Sequence, residues 1–402
     1  MYLNIERVGL LLLIAAVVAM MARRLRLPYT VGLVLGGMLL ALFPHASSLT
    51  LTKELVFTVL LPPLIFEAAI QMEWKELRRD LPVTLTLATL GVLLSAGVTA
   101  AGCRLLLGWQ WQTSVLLGVL IAATDPVSVI AAFKGAGVEG RLRMLVESES
   151  LFNDGTAAVL FSVAVSAMSG NVPSGWQVAA SFLVTFVGGV LCGGLIGWLV
   201  LRITGHTEDH LVEITFSTIA AYGSFLAAEH FHLSGVMATL TAGILFSTHG
   251  FGGAITDKGR AELLSFWEYV AFAANSLIFL LIGARLTHQH FGEVWLPLVV
   301  IIFLVLVGRA AAVYLCCLPF VRSSLRVDRS HQHILVWGGL RGALALALVF
   351  GLPPHIPRRD AVVSIVFGIV AFSVLVQGLT MPWLLQRLGA LRPREPEEKT
   401  TA

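Results

Sequence analysis

Charge is what this sequence has least of. Only 13% of its 402 residues are Asp, Glu, Lys or Arg, about half of the roughly 25% usual in soluble domains. With 57% hydrophobic residues and a mean hydropathy of +0.85, the chain cannot cover a water-facing surface. Its net charge of +3 and lack of a dense basic tract give no footing for nucleic acid. Cysteine is scarce as well. Cys103, Cys192, Cys316 and Cys317 all fall inside apolar runs, without disulfide or metal-ligand spacing, and read as lipid- or core-facing. No small-residue cleavage site follows the first apolar run; Arg23, Arg24 and Arg26 follow it instead. A signal peptide carries its charges before the apolar stretch, so this run is expected to remain as a membrane span. Also missing are His-Glu-x-x-His, Gly-x-Ser-x-Gly and any nucleophile–base pair on facing spans, so the chain does not read as an enzyme and no cofactor is expected.

Apolar runs are what the sequence has in quantity. Runs of about 17–25 residues are long enough to cross the hydrocarbon core as helices. Thirteen are present, at 3–22, 28–44, 51–70, 82–106, 112–133, 145–168, 175–201, 211–229, 232–248, 262–283, 294–320, 331–352 and 360–388. The fold class is therefore an all-α polytopic membrane protein: one transmembrane domain over 1–388 in a lipid bilayer, then a short cytoplasmic tail over 389–402. No soluble domain fits, no soluble subunit is called for, and regulation by a large cytoplasmic domain would need a partner.

Basic residues alternate between loops. Arg23/Arg24/Arg26, Lys75/Arg78/Arg79, Lys134/Arg141/Arg143 and Arg322/Arg326/Arg329 follow spans 1, 3, 5 and 11, whereas loops after spans 2, 4, 6 and 8 hold almost none, Lys53 aside. The positive-inside rule then puts the N-terminus outside and the C-terminus in the cytoplasm of the inner (plasma) membrane, with Arg358 and Arg359 as exceptions. An inverted repeat, spans 1–6 against 8–13 about span 7, is compatible with that count. Spans 5 and 12, the two most disturbed by Gly and Pro, hold corresponding positions, and paired interruptions point to a transporter's binding site.

Span 5 reads IAATDPVSVIAAF, with Thr124 and Asp125 directly before Pro126. Proline removes a backbone donor and suits the first turn of a helix, so a helix broken at mid-membrane is expected, with Asp125 stabilising the positive end of its second half. A carboxylate in lipid costs at least about 2.5–3.5 kcal/mol, which argues against an incidental one. In span 6, LVESESLFNDGTAAVLFSVAV, Glu149, Asn153 and Thr156 share one helical stripe and Ser150 and Asp154 the next. Asp154 lies about nine residues into that run, roughly 14 Å from its start and near mid-bilayer. A hydroxyl, an amide oxygen and a carboxylate meeting there are hard ligands suited to an alkali cation. Burial disfavours the charged carboxylate, so a proton and a cation can compete for it, and that competition by itself gives exchange. Glu67, in LPPLIFEAAI of span 3, is a third membrane acid. Arg309 in span 11 and Arg341 in span 12 answer these acids as ion-pair and helix-dipole partners. The histidines read as loop residues, His331 and His333 among them.

At these residues the chain resembles the monovalent cation–proton antiporters of the NhaP and eukaryotic sodium/proton exchanger type. LPPLIFEAAI, ATDPVSV, ESLFNDG, AEHFHLSGVMATLTAGI, LVGRAAAVY and GGLRGALALAL occur in the family's order over nearly the whole chain. The resemblance implies a homodimer, with unwound helices crossing at spans 5 and 12. It also implies a core domain including 112–168 and 294–388 and a dimerisation part including 1–44 and 175–283. It maps the Na⁺-binding carboxylate to Asp154 and neighbouring ligands to Asp125, the Thr124 carbonyl, Ser150 and Glu67. It maps a buried salt bridge to Glu149 and Arg309. Asn153, where some relatives carry a second aspartate, implies electroneutral exchange. The expected activity is Na⁺ (or Li⁺) against H⁺ by alternating access, with a K⁺/H⁺ antiporter as the alternative and a cation channel further off. The long regulatory tail of the eukaryotic members is lacking, so hormone-type control is not expected.

Overall fold

The structure is a computed structural model and describes residues 5–25, 27–42, 52, 54–168, 174–354 and 356–390. Arg26, Lys53, the ends of the first two apolar runs and most of the expected tail lie outside these residues. The described residues are helical, with no strand among them. The helices are α1 (Ile5–Arg24), α2 (Tyr29–Leu40), α3 (Leu55–Gln71), α4 (Trp74–Leu107), α5 (Trp111–Leu120), α6 (Val127–Ala136), α7 (Arg141–Met168) and α8 (Gly175–Thr204). There follow α9 (His210–His230), α10 (Gly235–Leu245, continued by a wide turn over Phe246–Ala254), α11 (Asp257–Leu286) and α12 (Trp295–Cys317). Last come α13 (Arg329–Trp337), α14 (Ala343–Phe350) and α15 (Arg359–Arg387). Seven of these, α4, α7, α8, α9, α11, α12 and α15, are long and apolar enough to cross a membrane by length and composition.

Each apolar run of the sequence coincides with a helix or, for spans 5 and 12, with a broken pair: α5–α6 and α13–α14. The helix ends follow local chemistry. Ser174 and Gln177 close a reciprocal capping box at the start of α8, and the side chains of Asp209, Ser234 and Thr256 accept amide hydrogens at the starts of α9, α10 and α11. In α3 the ring of Pro63 leaves the carbonyl four residues earlier without its helical donor. The Tyr222 hydroxyl on α9 donates to that carbonyl, Val59 O, at 2.9 Å.

Several placements differ from the sequence reading. Lys75, Arg78 and Arg79 belong to the first turns of α4 and not to a loop. That segment is amphipathic, with Leu77 and Asp80 buried beneath it, so it extends the helix without being apolar. His331 and His333 also lie within a helix, α13, where the Tyr314 hydroxyl meets His333 Nδ1 at 2.6 Å. Finally, α7 begins at Arg141, so Asp154 falls at the middle of its 28 residues.

The helices pack in two sets. One comprises α1, α2, α3 and α8–α11; the other comprises α4–α7 and α12–α15. Within the first, α2 and α11 approach until backbone meets backbone: Gly37 leaves no room for a Cβ beside the Leu280 carbonyl, nor Gly283 beside that of Val34. Small residues permit such contacts where lipid supplies no hydrophobic drive between helices. Outward faces stay apolar, as at Leu105, Leu191, Trp198 and Phe303. Arg358 and Arg359, the exceptions to the charge pattern, are both held: Arg358 stacks over buried Trp109 and Arg359 donates to the Leu352 carbonyl.

Candidate functional site

Residues 121–126 and 338–342 are unwound, and they touch. The Asp125 N–H donates to the Leu340 carbonyl at 2.8 Å, tying one break to the other. Asp125 Oδ1 accepts the Val127 N–H at 2.9 Å at the start of α6, and the Ala343 N–H at the start of α14 reaches the same carboxylate. One carboxylate thus caps two half-helices, whose positive ends both converge on it. Gly342 is required there, because a Cβ at that position would overlap the Asp125 carboxylate.

On α7 the polar stripe divides. Asn153, fully buried, clamps the break in span 5: its amide oxygen accepts the Thr124 N–H at 3.1 Å and its amide nitrogen donates to Thr124 Oγ1 at 2.7 Å. The same nitrogen reaches Glu149 Oε1 at 3.2 Å. The Thr124 and Ser150 hydroxyls lie 3.0 Å apart, both buried. Glu149 is gripped by Arg309 of α12 through two parallel hydrogen bonds of 2.6 and 2.7 Å. Arg309 also donates from Nε and Nη2 to the Leu335 carbonyl of α13, at 3.2 and 3.0 Å. Arg341 is buried beside the break in span 12, where its Nη1 donates to the Gly339 carbonyl at 3.0 Å; its Nε and Nη2 have no partner among the described residues.

Asp154 faces the other way. Its carboxylate makes no hydrogen bond or ion pair among the described residues, and it lines a cavity of about 1870 Å³. Asp125, Thr124 and Glu67 line the same cavity. Ser150 and Asn153 do not, being turned to the span 5 break. Glu67 sits nearer the mouth and accepts a hydrogen bond from Gln71 one turn on. At the mouth lie Lys134, Glu139, Arg143, Glu147 and Glu268, with Arg143 paired to Glu147 at 2.8 Å. The walls come from both sets of helices. An unpaired carboxylate at the middle of a long helix, reached through one open cavity, can hold a proton or a small cation and exchange it with solution.

The model for the transmembrane sodium/hydrogen exchanger family matches residues 10–387. The chain belongs to this family. Among curated exchangers, the Na(+)/H(+) antiporter ApNhaP of Aphanothece halophytica is 35% identical over 376 residues, covering 92% of this chain and 71% of that one. The Na(+)/H(+) antiporter NhaH of Halobacillus aidingensis is 34% identical over 394 residues, covering 94% and 96%. The solved structure of the sodium proton antiporter MjNhaP1 from Methanocaldococcus jannaschii shares the fold, with a TM-score of 0.75 at 20% identity over 96% of this chain and 98% of that one. The exchanger family is one of multi-pass membrane transporters, and the helical architecture is that of this family.

Sequence reading missed several neighbours of the site. Asp80, 2% exposed, takes a forked contact from Arg141, with Nη2 at 2.6 Å, while Arg141 also donates to the Arg326 and Leu325 carbonyls. Its place in the charged string KELRRD hid it; the signal was the neighbouring Leu77 and Val83, which bury the same face. The Ser128 hydroxyl donates to Thr30 Oγ1 at 2.8 Å, joining α6 to α2 across the two sets. No spacing in the sequence announces that contact.

Proposed function

We propose that this chain exchanges Na⁺ or Li⁺ for H⁺ across the cell membrane, one for one, by competition at Asp154. The observation that carries this reading is the Asp154 carboxylate, unpaired at mid-helix and open to a cavity that ends between two crossed half-helices. The two other acids buried around it each have an answering group: Glu149 has Arg309, and Asp125 has two helix ends. Asp154 alone of these carboxylates is left for a mobile ion. A carboxylate in a low-dielectric site accepts either a proton or a cation to discharge itself, and binding one displaces the other. Thr124 and Asp125 stand as the accompanying oxygen donors, with Glu67 on the approach, and Ser150 supports Thr124 from behind through its hydroxyl.

Asn153, a neutral group, leaves one titrating carboxylate at this depth, and one carboxylate carries one charge in each direction. That supports electroneutral exchange. The named relatives are sodium/proton antiporters, which supports sodium as the cation. In this reading the thirteen runs all cross, with the N-terminus outside, and the cavity mouth, where Lys134 and Arg143 lie, opens to the cytoplasm. The two helix sets move past one another, α4–α7 and α12–α15 carrying the ion against the rest, in a dimer of two such chains.

The test is dequenching of a pH-gradient dye in everted vesicles, with Na⁺, Li⁺ and K⁺ added in turn. Na⁺ and Li⁺ are expected to dissipate the gradient, and Asp154→Ala to abolish the response while the melting temperature stays within a few degrees. Sodium movement that persists in Asp154→Ala, or runs with no counterflow of protons, overturns the reading.

A further inference from the structure

The ligands assigned so far come from α3, α7 and the break in span 5. Helix α11 lines the same cavity with Glu268, Ala271, Phe272 and Asn275. These positions recur at helical spacing, so they line one stripe. The last of them is the unusual one. Asn275 stands in FAANSLIFLLIGA, an otherwise apolar stretch. Its side chain is 7% exposed and lines the cavity that Asp154 and Asp125 line, yet it makes no hydrogen bond among the described residues. Its polar atoms are not sealed inside the protein but reach the cavity, where nothing of the fold occupies them.

The placement is also stiff. One to two turns further along α11, Leu280 and Gly283 are locked against Gly37 and Val34 of α2 by backbone contact, and Phe272 packs by Tyr29 with ring centroids 6.2 Å apart. A rigid helix therefore holds an uncommitted carbonyl oxygen towards the ion path. We propose that Asn275 is a further cation ligand, contributed by the scaffold set of helices, whose amide oxygen completes the oxygen shell of the ion on Asp154 when the two sets close. Alkali cations take several oxygen ligands at short range. Asn275 and Asp154 line one cavity of about 1870 Å³ with no hydrogen bond from either to the other. Coordination by Asn275 therefore belongs to the closed state, and it links occupancy of the site to closure, because the shell is filled only when α11 meets the carrying set.

This inference rests on the exchange reading above, and the two fail differently. Wild type, Asp154→Ala, Asn275→Ala and Asn275→Asp are reconstituted in liposomes, and the apparent KM for Na⁺, Li⁺ and K⁺, the maximal rate and the melting temperature are measured. Loss of all exchange in wild type, or its survival in Asp154→Ala, defeats the exchange reading itself. With that reading intact, Asn275→Ala is expected to raise the KM for Na⁺ by about 3–30-fold and to change the Na⁺/K⁺ preference. Its melting temperature should stay near wild type, since no hydrogen bond within the protein is lost. Asn275→Asp, which keeps an oxygen there, is expected to have a KM at or below wild type. An unchanged KM in folded Asn275→Ala overturns the proposal, as does a fall in melting temperature with the KM preserved. A KM in Asn275→Asp raised as far as in alanine also overturns it, because shape and not the oxygen would then be what matters. Should Asn275→Ala fail to accumulate, Asn275→Leu, closer in volume, is measured against the same two outcomes.

Discussion

Cutting the Arg309 guanidinium tests whether the half-helices are held by charge. Arg309 and Glu149 are about 7% and 2% exposed, and their two hydrogen bonds are 2.6 and 2.7 Å long. Two further donations fix the Leu335 carbonyl at the end of α13, just before the break. In Arg309→Met the carboxylate keeps only the Asn153 amide at 3.2 Å. Removing one partner of a buried pair costs about 3–5 kcal/mol, because the remaining charge has no replacement for water. At about 2 °C per kcal/mol, the lower end of the range for large domains, the melting temperature should fall by roughly 6–10 °C. Glu149→Leu should cost a similar amount. The double variant should recover much of the loss, since neither charge is then left buried alone, and the cycle should show a coupling of about 2 kcal/mol or more. Melting is followed by intrinsic fluorescence in one detergent at one scan rate, for all four proteins. A fall under about 2 °C in Arg309→Met, or a double variant whose loss equals the sum of the singles, would refute the reasoning.

Asp125→Ala removes the shared cap of α6 and α14; a loss of about 1–2 kcal/mol per cap should lower the melting temperature and slow exchange together, which transport and melting assays on one preparation will show. Arg141→Ala strands Asp80 at 2% exposure and frees the Leu325 and Arg326 carbonyls, so about 2–3 kcal/mol of stability should go, while the KM for sodium, read by dequenching, stays near wild type. Asn153→Asp removes the donor to Glu149 at 3.2 Å and to Thr124 Oγ1 at 2.7 Å and sets an acid against Glu149, so the melting temperature should fall in the same melting assay.

The membrane class and the two broken helices were legible because each rests on strong local physics. Twenty apolar residues have few other fates, and a Pro behind Thr-Asp, or a Gly-Gly-x-Arg-Gly string, cannot continue a helix unbroken. Helix starts were less legible. The run of α4 was expected from 82, yet the helix begins at Trp74, since hydropathy sees lipid-facing length and not an amphipathic turn lying on Asp80. The acids of the site could be picked out individually by their cost in lipid. Which atoms meet could not be read from the residues alone, since Asn153 and Thr124 are 29 residues apart; the Glu149–Arg309 pair, 160 apart, was expected only through the family resemblance. Asn275 escaped for a related reason: a lone amide in an apolar helix looks like packing until its partners are sought and none is found.

On the proposed reading, the adjacency of Asn153 and Asp154 accounts for how rigidity and exchange coexist in so small a space. Successive residues on a helix point about 100° apart, so this pair presents one group to the broken helix and the other to the cavity. All the polar atoms of Asn153 are spent on Thr124 and Glu149, and through Glu149 the brace continues to Arg309 and the end of α13. Both breaks are therefore tied to α7 by groups that need not change protonation. Asp154 can then gain and lose charge without loosening the frame that positions it, since none of the frame's hydrogen bonds ends on its carboxylate. Had the carboxylate been a bracing group as well, each turnover would have broken a structural contact, and binding energy would have gone into repairing the fold instead of discriminating between ions. Separation of the two tasks by one residue of helical rotation would, on that reading, let a single acid in lipid work as the mobile part of an otherwise fixed site.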